Sequence, residues 1–240
     1  MRQVLHLLFE VAAFVVGYWY FQVLRNRKGD PIQEGKRTWI IVGAAAGALI
    51  GSRVLGALED PTALAWNWRA VFIAFNNRTI VGGLLGGLIG VEVTKKLIGE
   101  PQRSGDLFTH ALILAMMIGR VGCFLGGLED NTYGRPTELP WGIDLGDGVN
   151  RHPTNLYEIL WLGLIWLLLT VIETRWVLAP GARFRIFMVL YLEFRFFEFL
   201  KPAHPVLWGF TTIQIAAELG VLYYFKVYLE PRSLIQRADG

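Results

Sequence analysis

GRVGCFLGGLEDNTYGRPTELPWGIDLGDGVNRHPTNLYE, residues 119–158, is a polar, aromatic, Gly- and Pro-rich run set between two long apolar stretches. The apolar stretch before it closes on Gly119-Arg120-Val121-Gly122. The one after it opens on Arg151-His152-Pro153-Thr154-Asn155-Leu156-Tyr157-Glu158. Irregular backbone next to a bilayer is tolerated where it lines a cavity or is covered by protein, because lipid cannot satisfy free N–H and C=O groups. The run therefore marks the place where this chain does its chemistry.

The flanking sequence says what kind of protein holds it. Of 240 residues, 53% are hydrophobic and nine are Trp, and the mean hydropathy is +0.40. Soluble domains rarely carry that load. Apolar runs of bilayer-crossing length recur along most of the chain. The expected fold class is all-α, a polytopic membrane protein of about seven transmembrane helices. The spans fall near 4–24, 38–58, 80–98, 106–125, 154–173, 184–200 and 208–228. The N-terminal run has one preceding Arg and no small-residue cleavage signature, so it reads as a retained span. The whole of 1–240 reads as one transmembrane domain with two long external segments. These are a surface arm at 59–79, rich in Trp66, Trp68, Phe72 and Phe75, and the motif loop at 126–153.

Charge placement orients the chain. Fourteen of the 23 Lys and Arg residues fall in the segments 25–37, 95–103, 174–185 and the tail, all on one side. The positive-inside bias puts that side in the cytoplasm, so the N-terminus is outside (periplasmic) and the C-terminus cytoplasmic. The net charge of +3 follows from this lipid-orienting set, and no nucleic-acid partner is implied. Cys123 is the single cysteine, which excludes an intrachain disulfide.

Ionisable side chains within spans are costly and are kept for pairing or for function. Arg120 sits near the outer end of the fourth span. Arg195 and Glu198 share a face of the sixth. A guanidinium is a planar, permanently charged fork suited to phosphate, and a phospholipid phosphodiester is the anion most available at that depth. The competing reading is structural pairing, Arg195 with Glu198 and Arg120 with Glu129 or Glu158. Glycines four apart, Gly43, Gly47 and Gly51 in the second span and Gly82-Gly83, Gly86-Gly87 and Gly90 in the third, fit close helix packing. Gly82 and Gly83 also leave room for an acyl chain. His152 is a candidate base or a capping residue. Cys123, three residues from Arg120, is either a reactive thiol or a packing residue.

The motifs together resemble the prolipoprotein diacylglyceryl transferase family. The carriers are Gly119 to Gly122, Tyr133-Gly134-Arg135-Pro136-Thr137, Arg151 to Glu158, VGGLLGGLIGV at 81–91 and FRFFEFLKP at 194–202. The resemblance covers most of the chain. It implies an enzyme of the bacterial cytoplasmic (inner) membrane that transfers a diacylglyceryl group from phosphatidylglycerol to the lipobox cysteine of a prolipoprotein signal peptide. Its implied partners are phosphatidylglycerol and other membrane lipid and the prolipoprotein. It implies no cofactor and no metal. The family's signature arginine maps onto Arg120 and its second essential arginine onto Arg195. The catalytic candidates are then Arg120, Arg195, Glu198, His152 and Glu129, the last three competing for the role of base. The substrate-binding candidates are Arg135, Tyr133, Cys123, Gly82, Gly83 and Tyr157. The chain departs from the family pattern at several places. Val81 stands where the family usually has His, and Cys123 where it usually has Asn. LEDN at 128–131 replaces Asn-Gly-Glu, and the spacing from Arg195 to Glu198 is one residue short. No Tyr follows His6 at the expected position. Those departures leave two alternatives open, a paralogue with another acceptor or a non-catalytic phospholipid-binding protein.

Overall fold

The computed structural model describes residues 2–59, 77–130, 132–201 and 205–236, without the side chains of residues 2, 3, 198 and 199. Of the surface arm expected at 59–79, residues 60–76 lie outside this set. Seven main helices follow in order, with α1 Arg2–Lys28, α2 Glu34–Ala57 and α3 Ile80–Leu97 first. Then come α4 Asp106–Gly126, α5 Thr154–Arg175, α6 Ala182–Arg195 and α7 Thr212–Tyr223. Each coincides with one of the expected spans. Among the described residues four helical segments, Val4–Lys28, Glu34–Ala57, Asp106–Asp130 and Thr154–Arg175, are long and apolar enough to cross a membrane. The other three fall short for physical reasons. Helix α3 carries Glu92, Lys95 and Lys96. Helix α6 has 14 residues, about 21 Å at 1.5 Å per residue, and α7 has 12.

The helices pair by the size of their side chains. Helices α2 and α3 approach through the glycines at four-residue spacing. A Cβ on Gly86 would overlap the carbonyl oxygen of Gly47, and one on Gly82 that of Gly51. A Cβ on Gly83 would meet Ser52 Cβ only at 3.8 Å, an ordinary contact. The structure thus places Gly82 in the helix seam and Gly83 at its margin. Helices α1 and α4 form a second close pair, in which Gly17 meets Ala115 and Phe21 stacks on Phe108 with centroids 4.2 Å apart.

Helix α6 runs through the centre. Phe187, Met188, Tyr191 and Leu192 are fully buried against Val81 of α3, Ile113 of α4, Leu162, Ile165 and Leu169 of α5, and Ile213 and Ala217 of α7. Large apolar side chains such as Phe14, Trp19, Trp39, Leu49, Leu97, Leu160 and Leu167 point outward and are exposed. An outward apolar belt of this extent is the surface that lipid covers, and the protein is membrane-embedded.

The loop after α4 is more ordered than an all-α fold class anticipates. A 3₁₀ turn at Gly127–Asp130 leads to a small hairpin, β1 Ile143–Asp144 antiparallel to β2 Asn150–Arg151. Asp144 Oδ1 accepts from the backbone N–H groups of Gly146, Asp147 and Gly148 at 2.8–3.0 Å, which closes the hairpin turn. The Gly146 N–H, with those of Gly148 and Asp147, holds the Asp144 carboxyl below the usual carboxylate range. Helix α6 runs on into a 3₁₀ segment, Phe196–Leu200. Gln214, in the first turn of α7, donates to Phe196 O at 2.8 Å and pins that segment.

Candidate functional site

Glu158 organises the site. It sits just inside the N-terminal end of α5, fully buried, in the last position of the motif run. Its Oε1 faces Arg120 Nε of α4 at 2.9 Å, and its Oε2 accepts from Arg195 Nη1 of α6 at 2.9 Å. Tyr191 of α6 donates its hydroxyl to Oε1 at 2.6 Å. Three helices are thereby locked at one carboxylate. Arg120 and Arg195 are 5% and 4% exposed, so both cations are out of water. Two guanidinium groups gather at one carboxylate in a buried place. A buried ion cluster of this kind holds where its geometry is good and further hydrogen bonds, such as that from Tyr191, satisfy the carboxylate.

A cavity of about 330 Å³ is lined by Tyr157, Glu158, Trp161, Phe194, Arg195 and Lys201, among others. This volume is in the range of small-ligand sites. Trp161 and Phe194 stack with centroids 5.7 Å apart, and Trp161 Nε1 donates to Leu190 O at 3.0 Å. Aromatic side chains and the charged groups of Glu158, Arg195 and Lys201 therefore share its walls. Arg195 lines this cavity, whereas Arg120 stands behind Glu158 and reaches it through the carboxylate. Of the structural pairings weighed from spacing, Arg120 with Glu158 is present, and Arg195 meets Glu158 as well. The Glu198 side chain is outside the described set.

The motif loop folds over the outer end of these helices. Gly134 crosses His152 so closely that a Cβ there would sit 2.7 Å from the His152 Cβ. This is why glycine stands between Tyr133 and Arg135. Arg135 is exposed and is clipped to the segment after α6, with its N–H on Leu200 O at 2.7 Å and its Nε on Lys201 O at 3.1 Å. Tyr157 is held by Trp141 Nε1 at 2.8 Å and lies 3.3 Å from His152 Nδ1. His152 thus meets Tyr157, which lines the cavity. Tyr133 is elsewhere, with the Arg151 guanidinium 5.3 Å from its ring centroid. Arg151 is itself bonded to Asp147 at 2.6 Å. That hydrogen bond holds the Asp147 carboxyl low and the Arg151 guanidinium high. Glu129 is exposed on the 3₁₀ turn.

A second polar group adjoins the first. Cys123 Sγ lies 3.9 Å from Arg120 Nη1. His6 Nδ1 of α1 is 2.7 Å from Asp130 Oδ1. Thr132 donates to the other oxygen of Asp130, and Asn155 Nδ2 donates to Thr132 Oγ1 at 3.2 Å. Sequence reasoning gave no role to Asp130, Thr132, Asn155 or Tyr191 and saw Glu158 only as a pairing option. The available signal for Glu158 was a carboxylate entering an apolar helix at the end of a motif that begins with a buried arginine.

The family Prolipoprotein diacylglyceryl transferase matches residues 6–228. A phosphatidylglycerol–prolipoprotein diacylglyceryl transferase of Geobacter sulfurreducens is 31% identical over 205 residues, covering 80% of this chain and 75% of the relative. Proteins of the same name from Finegoldia magna and Campylobacter hominis are 32% and 25% identical, over 74% and 92% of this chain and 71% and 82% of the relatives. A match that takes in α1, the motif loop and α7 in one alignment leaves a single assignment, and the chain belongs to the prolipoprotein diacylglyceryl transferase family.

Proposed function

We propose that this protein is a transferase that moves a diacylglyceryl group from phosphatidylglycerol to the lipobox cysteine thiol of a prolipoprotein. The carrying observation is the doubly gripped Glu158 beside an aromatic cavity. In the reaction the acceptor sulfur attacks the C3 carbon of the diacylglyceryl unit. The carbon–oxygen bond to phosphate breaks, a carbon–sulfur bond forms, and glycerol phosphate leaves. The thiol proton passes to a base. Negative charge gathers on the departing phosphate oxygens, and preorganised donors in a dry site stabilise it most effectively. Arg195, on the cavity wall, meets the phosphate directly. Arg120 acts through Glu158, neutralising a carboxylate that would otherwise repel the phosphodiester. His152, in contact with Tyr157 of the cavity wall, serves as the base in this reading, with Glu198 and Glu129 as its competitors. Arg135 gates the cavity by tying the loop to the segment after α6.

The lipid enters from the bilayer, with the acyl chains along the apolar outer faces and the headgroup toward Arg195. In this reading all seven helices span or re-enter the bacterial inner membrane, with the N-terminus and motif loop outside, following the charge asymmetry. The test is purified protein in detergent with phosphatidylglycerol and a lipobox peptide, with glycerol phosphate release measured. Peptide-dependent release supports the proposal. Release only with a different acceptor, or bound lipid without turnover, replaces it with one of the alternative readings.

A further inference from the structure

The cluster beside the arginine triad has the composition of a metal site. Cys123 Sγ, His6 Nδ1 and an Asp130 carboxylate oxygen all lie within 4.8 Å of one another. They come from three separate places, α1, α4 and the 3₁₀ turn after α4, so only the packing of α1 on α4 assembles them. We propose that Cys123, His6 and Asp130 form a binding site for a borderline divalent cation of the Zn²⁺ class.

Four observations carry this. The donor set is one thiolate, one imidazole and one carboxylate, the mixture that Zn²⁺ prefers over the all-oxygen shells of Mg²⁺ or Ca²⁺. The separations are close to what the ion needs. Bonds of about 2.0 to 2.3 Å place neighbouring ligands roughly 3.3 to 3.8 Å apart, so the longest edge contracts by about an ångström and the His6–Asp130 contact of 2.7 Å opens slightly. Space has been left for the group. A Cβ on Gly126 would lie 3.0 Å from the Asp130 Cβ and 3.5 Å from His6 Nδ1, so a larger residue there would press on both ligands. The outer shell is also in place. Thr132 holds the second Asp130 oxygen, and Arg120 Nη1 lies 3.9 Å from Cys123 Sγ, where a cation favours the thiolate. Outer-shell partners of this kind orient ligands and tune affinity.

Binding releases the thiol proton to solvent and leaves the cation with thiolate, carboxylate and neutral imidazole. Three protein ligands leave a fourth position for water or an incoming donor, the arrangement of an open site rather than a closed structural one. The His6 side chain, 32% exposed, gives the ion a route in.

The experiment needs no lipid or acceptor, so its outcome is independent of the transferase reading. Chelator-treated protein lacking a polyhistidine tag is titrated in detergent with Co²⁺ alone and followed optically. One equivalent should bind, with visible bands of four-coordinate intensity and a near-ultraviolet thiolate-to-cobalt band, both erased by Zn²⁺. Cys123→Ser should remove the thiolate band while the protein stays monodisperse. Thr132→Ala should weaken binding by roughly 10- to 100-fold, as loss of an outer-shell partner does. A wild-type titration without a thiolate band overturns the proposal, and this arm requires no variant to fold. Binding that is unchanged in Cys123→Ser and His6→Gln overturns it equally, because the ion then sits elsewhere.

Discussion

At the residue scale, the candidate site is built on one carboxylate that two arginines and a tyrosine hold. Removing one partner of a buried ion cluster costs far more than the cluster contributes, because the remaining charges stay desolvated. Glu158→Gln should therefore lower stability by about 3–5 kcal/mol, read as an earlier thermal transition in detergent. A shift within error of wild type would mean that water reaches the arginines. Arg120→Lys tests geometry against charge. The Arg120 fork addresses Glu158 through Nε and Cys123 through Nη1, and a lysine ammonium is a single point charge on a flexible stem. Glycerol phosphate release should fall by roughly 100-fold or more, the scale on which lost charge-stabilising donors act. Turnover near the wild-type rate would reduce Arg120 to a diffuse charge. Both arginines were legible in the sequence as charges inside apolar helices. Their shared partner was not, because Glu158 is 38 positions from Arg120 and 37 from Arg195, and only packing brings α4, α5 and α6 to one point.

At the scale of elements, the glycine ladder between α2 and α3 sets the distance between those helices. Gly86→Ala should destabilise by about 1–3 kcal/mol, since its Cβ would enter the Gly47 backbone and overpacking in a tight seam costs that much. Gly83→Ala, one turn away and facing open contact distance, should be neutral or slightly favourable. Equal effects of the two on thermal stability would show that the helices separate freely. The spacing of the glycines was visible in the sequence, but which of each adjacent pair enters the seam depends on helix rotation. The connection between α1 and α2 offers a pH test. Burial alone would raise the Asp30 carboxyl, but the Arg37 hydrogen bond, the Ile32 N–H and the charges of Arg37 and Arg25 outweigh it and hold the carboxyl below its usual range. A depressed carboxyl contributes stability that is full above about pH 4, the ordinary Asp range, and is lost as pH falls through the lower folded value. The stability gap between wild type and Asp30→Asn should be widest near neutrality and close in acid. A gap that persists unchanged at the lowest pH where both proteins fold would count against the ion pair.

At the scale of the whole molecule, the orientation is the property most open to direct test. In a Cys123→Ser background, single cysteines at Asp147 and at Arg175, both exposed, should respond oppositely to a membrane-impermeant maleimide. Asp147→Cys should label on intact spheroplasts and Arg175→Cys only after permeabilisation. The reverse pattern would invert the proposed topology. The sequence by itself determined the membrane class, the mostly helical fold and the family, because apolar length and local motifs are properties of contiguous residues. It also placed the irregular run beside the site. It did not reveal that α6 and α7 are shorter than the expected spans, because helix ends depend on caps and neighbours such as the Gln214 bond to Phe196. The meeting of Glu158 with Arg120 and Arg195, the cavity beside them and the cluster of His6, Cys123 and Asp130 were decided only by the tertiary structure. Each joins residues from helices that pack through small side chains and buried charge, and no local pattern encodes which faces of those helices will touch.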